Sequence, residues 1–97
     1  MNITVFMEYK LIEEKRDSYF EQIELIKHGI EARGGQNYCW YEGIEQPHLF
    51  VEMFTVDSHE DYEAIKAWRQ NDASFCEHIA GGAAKLHVWA FRPLEVS

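Results

Sequence analysis

Three side chains of this 97-residue chain stand out as candidates for chemistry: Trp68, His78 ten positions later, and Tyr9 near the N-terminus. An indole offers a flat packing surface, an imidazole moves protons or ligates a metal near neutral pH, and a phenol donates a hydrogen bond. Tyr62 is a further polar group on the same helix as Trp68. The five histidines, His28, His48, His59, His78 and His87, include no pair at the i, i+4 helical or i, i+2 strand spacing that aims two rings at one metal, so no metal site is expected. Nucleophile elbow, P-loop and dinucleotide glycine motifs are all absent from the sequence, and nucleophilic catalysis by Cys39 or Cys76 would require a neighbouring base that the sequence does not show. Taken alone, Trp68 reads as a core residue and His78 as a boundary residue.

The elements that must position these residues can be read from periodicity. Asn2 to Leu11 alternates with period two and predicts a strand. From Glu13 to Arg33 the apolar residues Tyr19, Ile23, Ile26 and Ile30 follow helical spacing, and Gly34-Gly35 ends the helix. Gln36 to Gly43 and His48 to Val56 form a predicted long hairpin around Pro47. A second helix opens at Ser58-x-x-Asp61, where the serine oxygen can cap the N3 amide, and its inner face is expected to be Tyr62, Ile65 and Trp68. At about 100° per residue, Phe75 falls about 20° from Trp68 and His78 about 80° away, on the flank. Asn71-Asp72 marks an expected irregularity, because both side chains compete for backbone groups. Gly81-Gly82 closes this helix, and Leu86 to Phe91 is the last strand.

The order β-α-β-β-α-β predicts a ferredoxin-like α+β domain, residues 1 to 97, with two helices on one face of a four-stranded antiparallel sheet. Sorted by parity, the strands offer an aliphatic row set (Ile3, Val5, Met7; Leu49, Val51, Met53; Leu86, Val88, Ala90) and an aromatic one (Phe6; Phe50, Phe54; Trp89, Phe91). The aliphatic set is expected under the helices. The aromatic set then forms a bare face larger than monomers usually tolerate, which predicts a homodimer packed through it. Glu8 and Glu52 share the aromatic rows with His87, so either carboxylate is expected to pair with His87, Lys10 or a backbone amide.

Composition restricts the partners. Seventeen acidic against nine basic residues give a net charge of −8, which argues against nucleic acid. No apolar run approaches the ~20 residues that span a bilayer, and no leader pattern opens the chain. A cytoplasmic protein with reduced thiols is the expectation.

The segment FVEMF (Phe50 to Phe54), the following helix with Tyr62, Trp68, Phe75 and His78, and the strand LHVWAF together resemble the antibiotic biosynthesis monooxygenase superfamily of dimeric α+β barrels. That resemblance implies a ferredoxin-like subunit, a dimer built by packing two sheets, and a cavity between sheet and helices for a small, planar aromatic substrate. Its cofactor-independent members form quinones with oxygen; its haem-degrading members use a strand-one Asn, a helix-two Trp, and a His ten residues beyond that Trp as haem ligand. Trp68 and His78 match the interval, Tyr9 stands where the Asn would be, and Phe75 is displaced by one position. The resemblance thus implies a monooxygenase-type oxidoreductase with Tyr9, Trp68 and His78 in the site, either without a cofactor or with haem on His78. The alternative is a non-catalytic homodimeric module that binds a small molecule or serves in stress.

Overall fold

The structure, a computed structural model, describes residues 2–96. Its strands are β1 (Ile3–Lys10), β2 (Gln36–Glu42), β3 (Leu49–Val56) and β4 (His87–Phe91). They form one antiparallel sheet in the order β2-β3-β1-β4. The helices are α1 (Arg16–Phe20), α2 (Ile23–Ala32), α3 (His59–Asn71) and α4 (Ala73–Cys76). This is the ferredoxin-like α+β arrangement: both crossovers put helices on one face, and the core lies between them and the sheet.

Each predicted helix is divided in two. The first breaks at Glu21 and Gln22, leaving α1 only five residues long behind a 3-10 turn at Glu13–Lys15. Gly34, at φ +100°, takes the left-handed conformation that ends α2. The second helix starts as predicted, with Ser58 Oγ accepting from the Asp61 amide at 3.1 Å. It breaks at Asp72, whose carboxylate accepts from Ser74 N at 3.0 Å and so caps α4. A non-helical residue between Trp68 and His78 resets the helical phase, so the expected angle between them does not apply.

Strand parity holds on β1, where Ile3, Val5, Met7, Tyr9 and Leu11 are buried beneath the helices. On β3 it is the reverse of the expectation. Phe50, Glu52, Phe54 and Val56 are buried, while Leu49, Val51 and Met53 lie on the open side. Register dictates this, because Tyr9 faces Phe50, Met7 faces Glu52 and Val5 faces Phe54 across the pair, and directly opposed residues share a face. The bare face therefore carries Phe6, Val51, Met53, Tyr41, Trp89 and Phe91, with Glu8 opposite His87. Phe50 and Phe54 do not belong to it, and Glu52 pairs with none of the partners expected of it. Among the described residues no helix is long and apolar enough to cross a membrane.

Candidate functional site

Glu52 is fully buried at the centre of the sheet's helix-facing side. A lone carboxylate there would be prohibitively costly, and the cost is met by Arg69 from α3, itself fully buried. Arg69 Nη1 donates to Glu52 Oε1 at 2.6 Å and Nη2 to Oε2 at 2.8 Å, the bidentate geometry that suits guanidinium and carboxylate. The inner face of α3 is therefore Tyr62, Ile65 and Arg69, spaced i, i+3, i+7, and not the expected Tyr62, Ile65 and Trp68.

Two phenols complete the cluster. Tyr9, from β1, donates to Glu52 Oε2 and receives the indole N–H of Trp40 at 3.1 Å. Tyr19, from α1, reaches Glu52 at 3.1 Å and the Tyr9 oxygen at 2.7 Å, and accepts from Arg69 Nη2 at 3.3 Å. Its ring is enclosed by Trp40, Phe75 and His78, with centroids 5.9, 5.7 and 5.6 Å away. Among the described residues, two buried polar atoms make no hydrogen bond of ordinary geometry: Arg69 Nε and the hydroxyl of Tyr38. The Tyr38 phenol lies close enough to Glu52 for each to act on the other's ionisation.

Electrostatics keeps the phenols neutral and the carboxyl ionised. Burial, reinforced by the charge of Glu52, pushes Tyr9, Tyr19 and Tyr38 all upward from the ordinary phenol range. Burial alone would also raise Glu52, but the charge and hydrogen bonds of Arg69 outweigh it and hold the carboxyl below its usual range. Arg69 is raised in turn, Glu52 outweighing the desolvation that would lower it.

Tyr9 and His78 both touch Tyr19 and so belong to one neighbourhood. Trp68 does not. Its ring lies against the backbone of Gly29 on α2, where a Cβ would come within 2.3 Å of it, beneath the Arg33 guanidinium at 3.9 Å. Trp68 is a packing residue between α2 and α3. His78 is 2% exposed; its Nδ1 lies 2.8 Å from the Ser74 carbonyl and its Nε2 3.1 Å from Ser18 Oγ. A haem ligand needs a ring nitrogen whose lone pair faces open space, and here both nitrogens are engaged in a packed setting. These residues do not fit haem in this arrangement. Among the described residues no group of three or more His, Cys, Asp and Glu side chains is placed to hold a metal ion.

Sequence reasoning missed Glu52, Arg69, Tyr19 and Trp40 as site residues. The available signal was Arg69 at i+7 from Tyr62 on a helix whose other inner positions are apolar.

The fold and this buried cluster define an α+β protein of the ferredoxin-like type with a polar centre between sheet and helices. Among solved structures, that architecture is the fold of antibiotic biosynthesis monooxygenases. A candidate antibiotic biosynthesis monooxygenase from Bordetella bronchiseptica aligns over 97% of this chain and 98% of its own, with TM-score 0.72 and 12% identity. One from Nitrosomonas europaea aligns over 96% and 90%, with TM-score 0.72 and 14% identity. A conserved protein from Methanosarcina mazei aligns over 95% and 92%, with TM-score 0.76 and 11% identity. No family model and no curated protein matches the chain in sequence.

Proposed function

We propose that this chain is a single-domain, homodimeric oxidoreductase of the antibiotic biosynthesis monooxygenase type, acting without a cofactor on a small planar phenol bound at the Glu52–Arg69 cluster. The observation that carries this reading is the buried Arg69 Nε, a donor without a partner, beside an ionised carboxylate. Buried polar groups in native proteins are nearly always satisfied, and a substrate oxygen would satisfy this one. Arg69 would stabilise a substrate phenolate, and Tyr9 would pass the proton toward Glu52. The electron-rich anion would then react with dioxygen directly: a CH₂ group flanking the phenol becomes C=O, one oxygen atom entering the carbon and the other leaving as water.

The homodimer covers the bare face, where Tyr41, Trp89 and Phe91 are 55%, 45% and 54% exposed. Phe6, Glu8, Val51, Trp89 and Phe91 line a hollow of about 300 Å³ there, suited to a side chain from a second copy.

The raised tyrosine pKa values favour a second reading. A site that holds its own phenols neutral also disfavours a substrate phenolate, and Trp68 is taken up in packing against α2, as befits a homodimeric binding module without turnover. Oxygen-electrode measurements with dithranol, a tricyclic phenol with a reactive CH₂, separate the two. Turnover above the uncatalysed rate that disappears in the double variant Glu52→Gln/Arg69→Met, shown by circular dichroism to be folded, supports the oxidoreductase. Absence of turnover by folded, dimeric protein overturns it in favour of the module.

A further inference from the structure

The aromatic box around the cluster is already filled by a phenol, and the protein supplies it. Tyr19 is fully buried, its hydroxyl meets Tyr9, Glu52 and Arg69, and its ring is walled by Trp40, Phe75 and His78. It enters from α1, a helix too short to be stable alone. A 3-10 turn precedes that helix, and Glu21 and Gln22, which keep right-handed helical torsions, join it to α2 through a turn.

The other side-chain ties of this segment lie toward the surface, apart from Ser18 against the buried His78 and the Arg16 guanidinium 5.4 Å from the centre of the buried Phe50 ring. Arg16 makes a bidentate pair with Glu42 at 2.5 and 2.7 Å, Lys15 reaches the Glu77 carbonyl at 3.1 Å, and Ser18 meets His78. Exposed ion pairs of this kind are worth at most about 1 kcal/mol. The half-exposed Phe20 packs edge-on to Trp40 and Phe50. The Tyr19 phenol is thus the most deeply buried anchor of this segment, which is set off by a 3-10 turn before it and a helical turn after it.

We propose that residues 13–22 form a lid, and that Tyr19 is an internal occupant of a phenol-binding site: a phenolic ligand binds by displacing the Tyr19 ring and taking over its hydrogen bonds to Tyr9, Glu52 and Arg69. The ligand class follows from what the box accepts now, one flat ring with one hydroxyl directed at a carboxylate and a guanidinium. A ring without a hydroxyl would leave those donors and acceptors unsatisfied. The proposal rests on the site assigned above and is independent of oxygen chemistry.

The test uses 2-naphthol and naphthalene without oxygen, with full-length wild type and Tyr19→Ala. In wild type, saturating 2-naphthol should speed amide exchange across residues 16–22 while naphthalene leaves it unchanged. In Tyr19→Ala the competing ring is gone, so 2-naphthol should bind at least about tenfold more tightly than to wild type, the closed-lid penalty having been removed. It should also bind at least about tenfold more tightly than naphthalene, since a merely vacated apolar cavity would take both rings alike. Equal affinity for the two rings, or unchanged exchange in wild type at saturating 2-naphthol, overturns the proposal. If Tyr19→Ala does not fold, the wild-type exchange measurement decides alone. Naphthol binding without dithranol turnover sinks the oxidoreductase reading and leaves the lid; turnover with no displacement of residues 16–22 does the reverse.

Discussion

Removing one half of the Glu52–Arg69 pair tests whether a buried charge cluster lies at the centre of this molecule. In Glu52→Gln the guanidinium of Arg69, with no exposed surface, loses its counter-charge, and Tyr9 and Tyr19 lose an anionic acceptor. Leaving one charge of a buried pair uncompensated costs about 3–5 kcal/mol. A chain of this size has roughly 5–15 kcal/mol in total, so the single variant should be marginal. With a urea dependence of about 1.5 kcal/mol per molar, the unfolding midpoint should fall by about 2–3 M. Arg69→Met alone should be comparably damaging, because Glu52 is then buried unpaired. The double variant Glu52→Gln/Arg69→Met removes both charges and keeps similar side-chain shapes. It should recover at least about 2 kcal/mol over the sum of the singles, a coupling well outside additivity for independent sites. Urea unfolding followed by tryptophan fluorescence gives all four midpoints. A Glu52→Gln midpoint within about 0.5 M of wild type, or a double variant no better than the sum of the singles, would refute the buried pair.

Gly29→Ala should lower the melting temperature even though alanine is the better helix former by up to about 1 kcal/mol. Its methyl would sit 2.3 Å from the Trp68 ring, and overpacking of that kind costs about 1–3 kcal/mol; a rise in melting temperature counts against the Trp68 packing. Glu42, held down to about 2 by Arg16 and by the His48 amide, has a folded pKa below its unfolded one, so its stabilisation is present above about pH 4.5 and is lost as pH falls toward 2. Acid titration of Glu42→Gln should therefore show a shallower loss of stability between pH 4.5 and 2 than wild type, and identical profiles would show that Glu42 contributes nothing to the acid limb. Phe6→Glu, which puts a charge opposite Met53 and Trp89 on the bare face, should sediment as an 11.4 kDa monomer, whereas wild type at micromolar concentration should sediment at twice that mass; a monomeric wild type removes the dimer.

Most of the architecture was legible because it depends on periodicity and on glycine, which act locally. The β-α-β-β-α-β order, the Ser58 cap, the stop at Gly34 and the break at Asp72 each follow from residues within a few positions of one another. The faces of β3 were not legible in this way. LFVEMFTV carries apolar residues in both rows, so its own pattern leaves two orientations nearly balanced. The choice between them is made by register against β1, a contact between residues more than forty positions apart.

That single reversal determines the site. With Leu49, Val51 and Met53 inward, Glu52 would face the open side of the sheet and Arg69 would have no counter-charge. Hydrophobicity would then favour burying Trp68 over its neighbour. With Phe50, Glu52 and Phe54 inward, the carboxylate requires a cation from the helix above it, and α3 presents Arg69 while Trp68, about 100° away, moves to the groove over Gly29. Orientation of one strand and rotation of one helix are thus coupled through a charge pair, which apolar patterning does not record. The sequence draws attention to the largest side chain on α3, but the polar centre depends on the residue beside it. Helical spacing places Tyr19 on the apolar stripe of the first helix, and the structure buries it. Its hydroxyl acquires a role only because Glu52 lies opposite, so the chemistry of this residue, too, depended on the face of β3.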